Sequence, residues 1–226
     1  MSQVLEFAAG FVKNVPENFP AEVMQDFIEH PEKYRMLYDS LRPAPKVEIV
    51  SEREWDVWKW IDLGMSDLRS GEAFLKDFAS DSTNVGSWAK DILLVKGEEG
   101  KPLFTVAAEP IRLPLVKVTV AELGFTRWTR YDKICARAIE LGLNLCPPEV
   151  GPQLRRQYRD QPLGEWIVIA MKAIPDSGGA LRVFGVERDG DGLWLSCCFG
   201  YPCYEFTPDN QLVFVPRKYQ KKPLVA

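Results

Sequence analysis

Histidine is almost missing: the 226 residues contain one, His30. Chemistry built on paired imidazoles, such as a two-histidine metal centre, is thereby excluded, and a Ser-His-Asp triad would have to use His30. That residue lies in the polar run EHPEKY, just before Pro31, and reads as a solvated helix-end histidine. Long apolar runs are missing too. None approaches the roughly 18 residues that cross a bilayer. The opening MSQVLEFAAGFVKN lacks the basic-then-apolar layout of a signal peptide, so the expectation is a cytoplasmic protein without membrane contact. No Cys-x-x-Cys pair occurs, and an odd number of cysteines, five, fits a reducing compartment better than a disulfide framework. Excess positive charge is absent as well. A net charge of −4 and a pI near 5.3 give no molecule-wide basic surface, which argues against a nucleic-acid partner.

What is present is ordinary globular material, 46% hydrophobic and 27% charged. Apolar residues at helical spacing mark three short helices before Leu41, and the two prolines of LRPAPKVEIV mark an extended connection. The division expected is a helical appendage over 1–42, a linker over 43–50 and an α+β domain over 51–226. Ser70 and Ser87 read as N-caps of two further helices. Two strands are then expected over 103–106 and 111–118, the second at a sheet edge because Pro114 interrupts it. Thr119-Val-Ala-Glu122 has the spacing of a capping box, and a helix over 129–141 stops at Gly142. Pro147 and Pro148 pre-set another helix start, with Glu149 in its first turn. From Glu165 the period changes to two. EWIVIAMKAI, ALRVFGVE, LWLSCC and LVFV read as four strands joined by the Gly- and Asp-rich turns PDSGG and RDGDG and by a long loop. The fold class expected is α+β, an N-terminal helical segment followed by a mixed domain ending in an antiparallel four-stranded meander packed on the 129–141 helix.

No stretch spells out a reaction. The densest chemistry is the approach to and body of the 196–209 loop, where Cys197, Phe199, Tyr201, Cys203, Tyr204 and Phe206 crowd together. Aromatic and polarizable side chains on a scaffolded loop suit ligand contact. Adjacent Cys197 and Cys198 cannot easily share one tetrahedral ion with Cys203, so no metal and no cofactor are expected. Arg155, Arg156 and Arg159 form a small basic cluster able to contact an anion. The function expected is non-enzymatic binding of a protein or small molecule through the loop. The alternative is an enzyme acting on an anionic substrate through Glu149 and Glu165 with Arg155 and Arg156. A run so rich in Ser, Cys, Phe, Tyr, Asn and Asp is also what adenine-directed diversification of a binding surface leaves behind.

At LCPPEVGPQLRRQY, GEWIVIAM, VFGVERDGDGLWL and VFVPRK, with WKWIDLG, SWAKDIL, FTVAAE and VKVTVAELGF before them, the chain resembles an uncharacterised family of small proteins from uncultured bacteria. The resemblance spans roughly residues 58–218 and implies no activity, cofactor or site. The family pattern has Pro-Asp where this chain has Pro202-Cys203, and a tryptophan near Phe206. The departure falls in the unusual loop.

Overall fold

A computed structural model describes residues 54–219 apart from Ser66 and Glu98. The helical appendage over 1–42, the linker over 43–50, His30 and the end of the basic tail lie outside the described residues.

The described residues carry β1 (Lys59–Leu63), α1 (Gly71–Ser80), β2 (Asn84–Val85), α2 (Ser87–Leu94), β3 (Ile111–Thr119), β4 (Thr129–Arg130), α3 (Tyr131–Glu140), β5 (Leu143–Asn144) and α4 (Val150–Gln157). After these come β6 (Trp166–Ile169), β7 (Ile174–Pro175), β8 (Leu181–Asp189), β9 (Gly192–Phe199), β10 (Glu205–Phe206) and β11 (Gln211–Pro216). The fold is α+β. Its nine-stranded sheet runs β1-β3-β11-β6-β8-β9-β2, with β5 paired to β11 and β7 to β8. β10 and β4 form a separate two-stranded ribbon.

The sheet corrects the expected four-stranded meander. β11 does not follow β9; it returns to the middle, antiparallel to β3 on one side and parallel to β6 on the other. The physical reason lies in its residues. Leu212, Val213, Phe214 and Val215 are all buried, and a strand covered on both faces carries an unbroken apolar run rather than alternation. EWIVIAMKAI likewise gives two strands, β6 and β7, with Ala170 to Ala173 between them. The β8–β9 hairpin forms as expected, with Gly190 and Asp191 as its loop and Gly192 at φ 120°.

The helix on the strands of the meander is also a correction. α3 packs near β5 and β4, whereas α4 and α2 lie on the face carrying Phe184 and Arg182. Gly151 of α4 sits so close to Phe184 that a Cβ would meet its side-chain carbons at 2.6 Å. Phe74, Phe104 and Phe184 extend the packing edge-to-face, at 5.9 and 6.0 Å between centroids, and so bring α1 onto the same face. Trp166 looks to the opposite face, where Phe206 stacks on it at 6.4 Å.

Four local readings change. β3 spans Pro114 inside the sheet, yet β11 pairs only with Val116–Thr119. The proline therefore falls where the β11 side of β3 is unpaired and no amide is needed. The capping-box hydrogen bonds of Thr119 and Glu122 form, at 2.7 and 3.1 Å, but they close a turn instead of a helix. Residues 103–106 form no strand; Phe104 is a core residue of an irregular segment. Ser70 caps α1 through Ala73 N, whereas the N-cap of α2 is Gly86 and not Ser87.

α4 is stitched along the outer edge of β1. Glu149, Gln153 and Gln157, spaced four apart, form a side-chain ladder with 3.1 and 3.2 Å links. Gln157 accepts from Asp62 N and donates to Asp62 O, both at 3.0 Å, as a neighbouring strand would. Glu149 accepts from Gly64 N at 2.8 Å and Ala107 N at 2.7 Å. At Asp62 the outer edge of β1 is closed by one side-chain amide, that of Gln157.

Candidate functional site

Of the basic cluster, Arg155 and Arg156 bond inward, whereas Arg159 is exposed and pairs at the surface. Arg155 is fully buried: it donates to Gln161 Oε1 at 2.5 Å and to the carbonyls of Tyr158 and Glu187, and its Nε has no partner among the described residues. Burial, reinforced by Arg159 nearby, lowers its pKa to about 10. Arg156 pairs with Asp77 of α1 at 2.7 Å, and Arg159 reaches Asp81 at 3.0 Å and Thr83 at 2.8 Å. The three therefore tie α4 and the residues after it to the segments around them.

Glu149 and Glu165 are not brought together either. The carboxylate of Glu149 holds the two amides and Gln153 described above. Glu165 accepts from Lys117 Nζ at 2.6 Å and from the Tyr158 hydroxyl at 2.9 Å. Lys117 Nζ lies 4.7 Å from the Trp58 ring centroid, and Trp58 meets Tyr158 edge-on at 5.1 Å. Burial, and then the hydrogen bond to Glu165, raise the Tyr158 hydroxyl above the ordinary tyrosine range.

The cysteines separate by environment. All five are free thiols. Cys146 is buried, hydrogen-bonded to Val213 O at 3.3 Å, and burial pushes its thiol above the ordinary range. Burial raises Cys135, Cys197 and Cys198 to about 12. Cys203 alone is exposed. No group of three or more His, Cys, Asp or Glu among the described residues could hold a metal ion.

The 199–205 segment does build a surface. Phe199, Tyr201, Cys203 and Tyr204 line one open cavity of about 400 Å³ with Trp128 and Glu205. Trp128, at 67% exposure, is the residue the sequence reading missed; its neighbours Thr129 and Arg130 form β4, which pairs with β10 and so fixes it opposite the loop. Phe199 and Tyr201 are 40% and 36% exposed, their rings 5.9 Å apart. Two of the expected contact residues fall elsewhere. Phe206 is a core residue at 1% exposure, and Cys197 lies paired with Phe184 under α2, on the strand leading to the loop.

Trp128 and Glu205 also line a larger cavity of about 1230 Å³, with Phe125, Arg127, Lys133 and Pro208 among others. Arg130 is taken up by Asp132 and Arg137 by Glu140. Arg127 and Lys133 have no acidic partner among the described residues, so the groove offers two unneutralised cations beside exposed aromatic rings. Phe199 is held in place from behind. The Arg182 guanidinium lies between the rings of Trp88 and Phe199, 4.2 and 4.3 Å from their centroids, and Asp176 fixes it at 2.9 Å. That bond holds the Asp176 carboxyl below the usual carboxylate range.

No helix among the described residues is long and apolar enough to cross a membrane. No family model, curated protein or solved structure matches the chain.

Proposed function

We propose that the protein is a binding module whose contact surface is the groove between the 124–137 segment and the 199–208 loop, and that its ligand combines a flat apolar group with an anionic one. The observation that carries this is the convergence of Phe199, Tyr201, Cys203 and Tyr204 with Trp128 on one cavity, which shares Trp128 and Glu205 with a second lined by Arg127 and Lys133. Aromatic rings supply contact area at low conformational cost, and the free cations supply a preference for negative charge. Glu149, Arg155 and Arg156 are engaged with internal partners, so the groove is better supported than an enzyme built on them. Diversification of this surface would fall on the cavity positions. Gly200 and Phe206 would stay fixed: a Cβ at Gly200 meets Ala173 at 2.7 Å, and Phe206 is core. Five free thiols favour the cytoplasm as its location.

The test is a titration with a matched panel of aryl carboxylates and aryl amines, followed by the NMR signal of the Trp128 indole N–H. Carboxylates should shift it with amines inert, and the combined Trp128→Ala, Tyr201→Ala variant should abolish binding while folding normally. Equal response to both panels removes the anionic preference. No response to either removes the groove as a binding surface.

A further inference from the structure

The two outer edges of the large sheet are treated differently. That of β1 is closed at Asp62 by Gln157, which supplies a donor and an acceptor. That of β9 is closed only at its start. β2 pairs with Trp194 and Leu195, and the last bond is Gly86 N to Leu195 O at 2.9 Å. Leu195 O therefore points away from β8. Because main-chain groups alternate sides along a strand, the N–H and C=O of Cys197 and Phe199 point the same way. They have no hydrogen-bond partner among the described residues. The inward-facing groups continue regularly to Gly200, whose N–H donates to Leu181 O at 2.8 Å, so β9 keeps its register to the rim of the aromatic cavity.

Resting on the groove as the binding surface, we infer that its ligand is an extended acidic peptide that adds as a short strand to the open edge of β9 at Cys197 and Phe199 and runs on into the groove. Strand addition uses main-chain hydrogen bonds for affinity and side-chain pockets for specificity, and both are present here. The edge offers alternating donors and acceptors, which match a peptide backbone. The cavity of about 400 Å³ beyond Phe199 takes one aromatic or large aliphatic side chain. Arg127 and Lys133 meet acidic residues that follow it. A nucleic acid has no alternating backbone donors and acceptors to offer Cys197 and Phe199.

The experiment is selection of a displayed library of seven-residue peptides on the full chain, followed by an N-methyl scan of an enriched peptide. Enrichment should yield a large apolar residue with acidic neighbours. Methylation of alternate backbone nitrogens should cost roughly tenfold in affinity each, with those between them silent, since each lost main-chain bond removes about one hydrogen bond. Amide exchange at Cys197 and Phe199 should slow at least about tenfold on binding. On the protein side, Cys197→Pro removes an outward N–H that β8 does not use and should weaken the peptide by a similar factor. Affinity unchanged through the whole N-methyl scan would overturn strand addition. Recovery of no peptide, while aryl carboxylates still bind, would overturn the peptide and leave the groove standing. Failure of both probes would remove the proposal together with the reading beneath it.

Discussion

Replacing Gly151 by alanine probes the contact that seats α4 on the sheet. In an open helix this change stabilises by up to about 1 kcal/mol, because alanine loses less backbone entropy than glycine. Here the added Cβ meets Phe184 Cβ and Cγ at 2.6 Å and Cδ2 at 2.8 Å. Carbon atoms rest at about 3.5–4.0 Å, so the helix must retreat from β8 by about 1 Å. Overpacking of this kind costs about 1–3 kcal/mol. The retreat also stretches the bonds of Glu149 to Gly64 and Ala107. The clash outweighs propensity, and the net expectation is a loss of about 1–2 kcal/mol. Urea unfolding followed by fluorescence and circular dichroism measures it, provided the slope m is unchanged. A second background tests the cause. Phe184→Ala reduces the three close atoms to one, so Gly151→Ala should cost at least about 1 kcal/mol less there. Stabilisation of the wild-type background by Gly151→Ala, or additivity of the two changes, would refute this account of the packing.

Other substitutions separate scaffold from surface. Gln157→Ala leaves the main-chain groups of Asp62 unpaired and should cost about 1–2 kcal/mol in the same unfolding assay. Trp128→Ala and Tyr201→Ala should leave the unfolding midpoint within about 0.5 kcal/mol of wild type, since both side chains are exposed. Thiol titration of the native protein should show one fast cysteine, Cys203, and four slow ones. At about 12 the Cys135, Cys197 and Cys198 thiols carry on the order of 10³-fold less thiolate at neutral pH than an ordinary thiol. Two or more fast thiols would contradict the placement. Asp176 has a folded pKa below its unfolded value, so its bond to Arg182 stabilises above about pH 4 and is lost as pH falls through the folded value. Asp176→Asn should flatten that acid limb of the stability profile and loosen the Phe199 ring; an unchanged limb would rule the pair out as its source.

Local rules written into adjacent residues survived folding. Ser70 caps α1, Gly142 takes φ 88° after α3, and the RDGDG hairpin closes between Asp189 and Gly192. Each depends on a few neighbouring backbone groups, and residues a few positions apart specify them. The Thr119–Glu122 pair shows the boundary of that logic. Its hydrogen bonds are those the spacing demands, yet no helix follows, because Val120 and Ala121 bond to Asn210 and Pro208 instead.

The groove was half legible. A crowd of aromatics and cysteines marked the 199–204 loop, and four of its residues do share a cavity. Trp128 gave no signal, because only the pairing of β4 with β10 puts it opposite that loop. The pairing of the arginine cluster was hidden for a related reason. In the sequence the cluster is a basic patch; in the fold Asp77 and Asp81 come from elsewhere to pair with Arg156 and Arg159, and Gln161, six residues on, takes up Arg155.

By itself the sequence determined the α+β class, the strand-rich C-terminal half, the Ser70 cap, the 189–192 hairpin turn and the absence of paired histidines. Tertiary structure alone decided where β11 inserts, which helix covers the sheet, which edge is closed and which cations stay free. The difference is one of range. Propensity and capping act over one helical turn or one hairpin, whereas strand order and ion pairing are settled by competition among distant segments to bury their apolar faces and satisfy their polar groups together.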